Sequence, residues 1–277
     1  MQKTKVVHLT IVHKRYDSRI FCKECISLSE AGYDVSLIVA DGLGNETKQG
    51  VKIIDVGRAE ASRIKRMIRT SRKAVDLALG MNADIYHFHD PDLLIEALRL
   101  RKKACVIFDS HEDFPALMKQ RDYIPDFARK VLFRLCTLIE KYSAKRLSAV
   151  VCATETIQDK FARYGNIKAV VVKIYPVFSS CESETTNSYD TTKPVCYVGG
   201  LTALRGVKEM VEACNKAGVK LLLAGEFDNQ AYFEQIKAMP EWRNVEFLGY
   251  VPTSQVREKV YNRSSVGLVL LHKAPNH

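Results

Sequence analysis

The chain has 277 residues, 47% hydrophobic and 27% charged, with a formal net charge of +10. That length suits two domains of ordinary size, and the composition is that of a folded globular protein rather than a disordered or fibrous one. No apolar run reaches the roughly 18 residues of a membrane-spanning helix, and the opening Met1-Gln2-Lys3-Thr4-Lys5 leads into a short strand with no small-residue cleavage site, so a signal peptide is not expected.

Residues 6–12 read as an apolar strand, with His8 near its start and His13 just past its end. In the polar loop that follows, Asp17 or Ser18 is placed to cap a helix running to about residue 31, which Gly32 ends. Strands are expected at 35–40 and 51–56, then a helix in which Arg58, Arg63, Lys65, Arg66, Arg69, Arg72 and Lys73 crowd together. Ile64, Met67, Ile68, Val75 and Leu79 recur there at helical spacing, leaving the basic residues on the other faces. The plain reading is a solvated surface helix, and the functional one is a helix lying on anionic lipid head groups.

A short strand at 85–88 is followed by His89-Asp90-Pro91-Asp92, which opens a helix with proline near its first turn. His87 and His89 are two apart and so share a face. The strand 106–108 runs into Asp109-Ser110-His111-Glu112-Asp113, and helices at 126–147 and 154–164 alternate with strands at 149–153 and 169–175. The polar stretch from Ser179 is nearly free of aliphatics and reads as a linker.

After the linker the alternation restarts. Strands are expected at 195–198, 220–224, 245–248 and 266–271, with helices at 206–217, 229–238 and 253–261. Strands alternating with helices argue for parallel sheets covered on both faces. Two such runs imply two Rossmann-like α/β domains, at 1–178 and 194–277, joined by the linker 179–193, with a ligand between them. The apolar run 266–271 reads as a strand covered on both faces, yet no helix follows it before His277, so the second domain is expected to be incomplete and its edge prone to association.

The stretch Val195-Cys196-Tyr197-Val198-Gly199-Gly200 reads as a buried strand entering a glycine turn. Arg205 then stands before a helix whose Val207, Met210, Val211 and Cys214 recur at helical spacing. The free N–H groups and positive dipole end of that helix, with the Arg205 charge, suit a phosphate. An ordinary strand-to-helix turn is the plainer alternative.

The eight cysteines are scattered, with Cys105, Cys136, Cys152, Cys196 and Cys214 in apolar patterns, as suits buried thiols in a reducing cytoplasm. Cys22 and Cys25 form a C-x-x-C inside a helical pattern with no second pair. A metal site from His87, His89, Asp90 and His111 is one reading of the polar strand ends, but no recognised ligand spacing supports it, and no metal is expected.

An ordered series of motifs carries a resemblance: Tyr16-Asp17-Ser18-Arg19-Ile20-Phe21-Cys22-Lys23-Glu24, Tyr86-His87-Phe88-His89-Asp90-Pro91-Asp92, Phe108-Asp109-Ser110-His111-Glu112-Asp113, Tyr197-Val198-Gly199-Gly200-Leu201 with Arg205-Gly206, Leu223-Ala224-Gly225, and Phe247-Leu248-Gly249-Tyr250-Val251-Pro252. Together these resemble bacterial glycosyltransferases of family 4, which have the GT-B fold and build surface polysaccharides. The resemblance implies a donor domain at the C-terminal side and an acceptor domain at the N-terminal side. It places Gly199, Gly200 and Arg205 at the donor diphosphate, Gly225 among the donor-binding residues, and Gly249, Tyr250 and Val251 at the nucleobase. His111 falls at the histidine that faces the donor sugar, and His13, Tyr16, Asp17, Arg19, His89 and Asp90 fall on the acceptor side.

The sequence departs from the family in two places. Many members carry a basic residue where Gly200 stands, and the family's acidic pair, two glutamates seven residues apart after the next strand–turn segment, would lie beyond His277. Glu234 and Glu241 have that spacing but precede the strand at Val245. The expected activity is retaining transfer of a sugar from a nucleotide sugar to a lipid-linked or polysaccharide acceptor, without a metal or other cofactor. The expected setting is the cytoplasm, peripheral on the inner face of the membrane through the 58–73 basic helix, with no nucleic-acid partner. A relative that binds without turnover, and a metal-dependent hydrolase, are the alternatives.

Overall fold

The computed structural model describes residues 3–118, 125–175 and 192–272. They form two compact α/β units, one reaching Tyr175 and the other beginning at Thr192, and the expected linker lies almost wholly outside the described residues.

The first unit holds β1 (Lys5–Leu9), β2 (Asp34–Val39), β3 (Glu46–Lys48), β4 (Val51–Asp55), β5 (Ile85–Phe88), β6 (Cys105–Ser110), β7 (Ala149–Cys152) and β8 (Ala169–Val171). They make one sheet in the order β3-β4-β2-β1-β5-β6-β7-β8. Only β3 runs antiparallel, hairpinned onto β4, and it was absent from the sequence expectation because Glu46-Thr47-Lys48 carries no apolar alternation. β1 is shorter than expected and ends at Leu9, so that Val12 is 55% exposed beyond it.

Alternation along the central strands divides the sheet into two unlike faces. Val7, Leu9, Tyr86, Phe88, Val106 and Phe108 pack into the main apolar core. The other face of the same strands carries His8, His87 and Asp109, and the helical segment 20–30 lies over that side, seating Ile20, Phe21 and Cys25 against Val35, Leu37 and Val39. Asp17 Oδ1 accepts from the N–H groups of Arg19 and Ile20, which starts this helix as its sequence position predicts.

The basic segment is helical over 63–81 and differs from its expected orientation. Ile64 and Ile68 are exposed, while Ala74, Val75 and Ala78 provide the buried stripe. Arg63 and Arg66 turn toward the fold instead, both pairing with the buried Asp92 at 3.1 and 2.8 Å. Cys105 likewise is exposed, at the open start of β6, and not a core thiol.

The second unit holds β9 (Val195–Val198), β10 (Leu221–Ala224), β11 (Val245–Gly249) and β12 (Val266–Gly267), all parallel, in the order β11-β10-β9-β12. The helices Val207–Lys216, Gln230–Lys237 and Thr253–Lys259 alternate with them. The expected strand 266–271 is cut short. Leu268 still bonds Cys196, but then the chain leaves the sheet, His272 N–H bonds the Leu204 carbonyl, and Val269 is 86% exposed. That exit places the Leu270 side chain against the backbone of Gly206, whose φ of 61° and lack of a Cβ allow the approach.

Candidate active site

Open parallel sheets gather ligands outside the carboxyl ends of their strands, at the point where the strand order reverses. In the first unit the reversal lies between β1 and β5. The residues that leave β1, β5 and β6 there line a cavity of about 310 Å³, with His13, His89, Asp90 and His111 among them and Arg63 and Arg66 entering from the basic helix.

Asp90 is buried and organises the turn after β1: its carboxylate accepts from Thr10 Oγ1 at 3.1 Å and from the Ile11 N–H. His13 Nδ1 lies 2.7 Å from Asp90 Oδ1. Burial alone would lower the imidazole, but the hydrogen bond to Asp90 and the charges of Asp90, Asp17 and Asp109 together outweigh it and raise the His13 pKa. His111 is partly exposed beside it, with ring centroids 5.1 Å apart, and its Nε2 lies 3.1 Å from Asp109 Oδ2. Burial by itself would push the Asp109 carboxyl up, but hydrogen bonds from His111, His89 and Arg19 hold it well below the usual carboxylate range.

Beneath this layer lies a second group of histidines. The parallel register sets His8 directly opposite His87, and the His8, His87 and His89 rings stand 4.8 to 5.3 Å apart. Glu24, from a π-helical turn of the segment above, brings its Oε2 to 3.9 Å from a ring nitrogen of each. Burial lowers all three imidazoles, His87 to about 3, so they are neutral at physiological pH. Burial and the nearby Asp109 raise the Glu24 carboxyl to about 9, against the pull of Arg19. The sequence-based metal grouping is therefore corrected: Asp90 turns to Thr10 and His13, and the side chains that converge with His87 and His89 are His8 and Glu24.

The loop 16–19 does not enter the cavity. Tyr16 donates to Glu46 at 2.7 Å, Asp17 serves the helix start, and Arg19 is buried on Asp109. His89 and Asp90 are each 1% exposed, so they form the cavity floor and hold other groups in place.

The second unit presents its own site at the carboxyl ends of β9, β10 and β11. Gly199, Gly200, Gly225, Glu226, Tyr250 and Val251 line a cavity of about 250 Å³. The β9 and β10 ends touch because Gly225 has no side chain: a Cβ there would overlap the Gly199 carbonyl. Gly225 N–H also bonds the Gly249 carbonyl at 2.8 Å, which brings in the loop carrying Tyr250. Arg205 closes a short turn capped by Thr202 Oγ1, just before the helix Val207–Lys216 and beside rather than among the residues lining the cavity.

Sequence reasoning passed over Glu24, Arg63, Arg66 and Asp92 as site residues. The i, i+3 spacing of Arg63 and Arg66 was the available signal, since it puts both on one helix face. Among the described residues, no helix is long and apolar enough to cross a membrane.

The sequence model of Glycosyltransferase Family 4 matches residues 23–176. No curated protein sequence matches the chain. Among solved structures, sucrose-phosphate synthase from Thermosynechococcus elongatus is similar over 99% of this chain and 77% of its own, at 14% identity and a TM-score of 0.71. WaaG, a glycosyltransferase involved in lipopolysaccharide biosynthesis, is similar over 97% of this chain and 75% of its own, at 11% identity and a TM-score of 0.68. HepE of Anabaena, in complex with UDP and glucose, is similar over 90% of this chain and 70% of its own, at 12% identity and a TM-score of 0.58. At these identities the likeness is one of fold, and that fold is GT-B.

Proposed function

Since the chain belongs to glycosyltransferase family 4, we propose that it transfers a sugar, with retention, from a nucleotide donor held by the second unit to an acceptor hydroxyl bound by the first. The observation that carries the donor half is the glycine-lined cavity at the ends of β9, β10 and β11. With no side chains at Gly199, Gly200 and Gly225, a diphosphate can approach the backbone there. Arg205 and the free N–H groups of the helix Val207–Lys216 stand in the next turn to stabilise the charge that grows on the leaving diphosphate. Gly249, Tyr250 and Val251 form the side suited to the nucleobase. HepE, of the same fold, is described with UDP and glucose.

On the acceptor side, His111 faces the cavity with its Nε2 tied to Asp109, which fixes the ring to position the donor sugar. The acceptor hydroxyl attacks the anomeric carbon from the face the diphosphate leaves, and its proton passes to the departing phosphate oxygen, so no protein base is required. Arg63, Arg66 and His13 around the same cavity suit an acceptor that carries phosphate, as a lipid-linked sugar does. The membrane reading gains a second feature. The helix Asp126–Ala144 exposes Phe127, Val131, Leu135, Leu138 and Tyr142 along one stripe, flanked by Lys130, Arg134 and Lys141. Neither reading requires a metal for the transfer.

Calorimetry with UDP, GDP and ADP tests the donor half. One nucleotide is expected to bind, and Arg205→Ala to weaken it by roughly 10- to 150-fold, the loss of one charge-assisted contact. Binding of none of the three, or unchanged affinity in the variant, would remove the respective assignment. Retention is read from the anomeric configuration of the product by NMR.

A further inference from the structure

Apart from Asp109, the polar face of the central strands has no role in the transfer outlined above, yet it holds a dense group of ligating side chains. One donor atom from each of His8, Glu24, His87 and His89 falls within 4.8 Å of the other three. His8 Nδ1 and His89 Nε2 are 3.0 Å apart, and Glu24 Oε2 stands 3.9 Å from His8 Nδ1, from His87 Nδ1 and from His89 Nε2. A tetrahedral ion bound at 2.0–2.1 Å separates its ligands by about 3.3 Å. The observed separations straddle that value, and small side-chain rotations would close the set.

We propose that His8, Glu24, His87 and His89 form a structural site for a divalent transition-metal ion of the zinc class, tying β1 and β5 to the helical segment above them.

Three features of the chain favour an ion there. Glu24 Oε2 is buried and has no hydrogen-bond partner among the described residues. A buried Glu24 oxygen left without a partner beside three imidazoles is costly unless something fills the space between them. The outer contacts are those that hold metal ligands in position. His89 presents its other nitrogen, Nδ1, to Asp109 Oδ2 at 3.3 Å, and the other Glu24 oxygen lies 3.0 Å from the charged Arg19 Nε. Three imidazoles and one carboxylate suit zinc and its neighbours rather than magnesium or calcium, which take oxygen ligands.

Four protein ligands leave no open position, so the ion would be structural rather than catalytic. Its effect on the transfer would run through His89. With the Nε2 of His89 on the metal, its Nδ1–H is committed to Asp109, and the carboxylate that orients His111 is held in one place.

The test uses the full chain, purified without chelator. Elemental analysis is expected to find about one zinc per chain, and Co2+ added to stripped protein to give the intense visible bands of a four-coordinate site without a thiolate charge-transfer band. Glu24→Gln and His87→Asn are expected to weaken Zn2+ binding by more than the roughly 10- to 100-fold that loss of an outer contact costs. Zn2+ is expected to raise the Tm of the stripped wild type and not of the variants. Because either variant can misfold, X-ray absorption of the wild-type zinc form gives an independent reading, expected to show nitrogen and oxygen neighbours only. Stripped wild type that binds neither ion, a thiolate signature pointing to Cys22 and Cys25, or full retention of zinc by both folded variants would each overturn the proposal.

Discussion

Arg19 and Asp109 form a two-pronged ion pair in the interior of the first unit: Nε reaches Oδ2 at 2.7 Å and Nη2 reaches Oδ1 at 2.8 Å, with both side chains buried. The pair links the helical segment 20–30 to the end of β6, and the Arg19 Nη1 donates to the Val172 carbonyl just beyond β8. Removing one partner would leave a charge buried and unpaired, which costs about 3–5 kcal/mol. Arg19→Ala is therefore expected to destabilise the first unit by that much in urea unfolding, and Arg19→Met with Asp109→Leu by less. A loss under 1 kcal/mol for the single change would mean that Asp109 finds another partner.

His13 offers a pH readout of the cavity. Its folded pKa is raised by Asp90, so its stabilising contribution is complete below about 6.5, the unfolded value, and is lost as pH rises through the folded pKa. NMR titration of the imidazole is expected to show that raised value, and Asp90→Asn to lower it. A midpoint unmoved by Asp90→Asn would break the pairing.

Gly225 is the tightest point of the second unit. An alanine methyl there would overlap the Gly199 carbonyl, and the φ of 149° is one that side chains rarely adopt. Gly225→Ala is expected to cost about 1–3 kcal/mol, with faster hydrogen exchange across β9 and β10 and no change in β1 or β6. Equal effects on both units would mean that they unfold as one.

Lys160 and Glu140 make a second buried pair, at 2.9 Å, with Tyr164 donating to the other Glu140 oxygen at 2.8 Å. They join the helices Asp126–Ala144 and Glu155–Arg163. Lys160→Ala is expected to destabilise by about 3–5 kcal/mol, and Lys160→Ala with Glu140→Gln to recover part of it. Thermal unfolding of the two variants separates these outcomes, and equal midpoints would dismiss the pair as a stabilising unit.

What could be read in the chain was what is local. Apolar runs and helical spacing marked nearly every strand and helix, because each element must bury one face whatever its neighbours are. Glycines at 199, 200 and 225 marked a close backbone approach, and the two-residue spacing of His87 and His89 put them on one face, since the pleat alternates by residue. What tertiary structure decided was which of these faces meet. That β1 pairs with β5, setting His8 opposite His87, follows from the strand order, and no periodicity encodes which distant strands become neighbours. Nor does an amphipathic pattern say which stripe is covered, which is why Ile64 and Ile68 lie in solvent while Arg63 and Arg66 turn onto Asp92. Arg19 and Glu24 read as residues of a loop and a helix. They became buried partners of Asp109 and the histidines only because the helix that carries them packs over the polar face of the sheet.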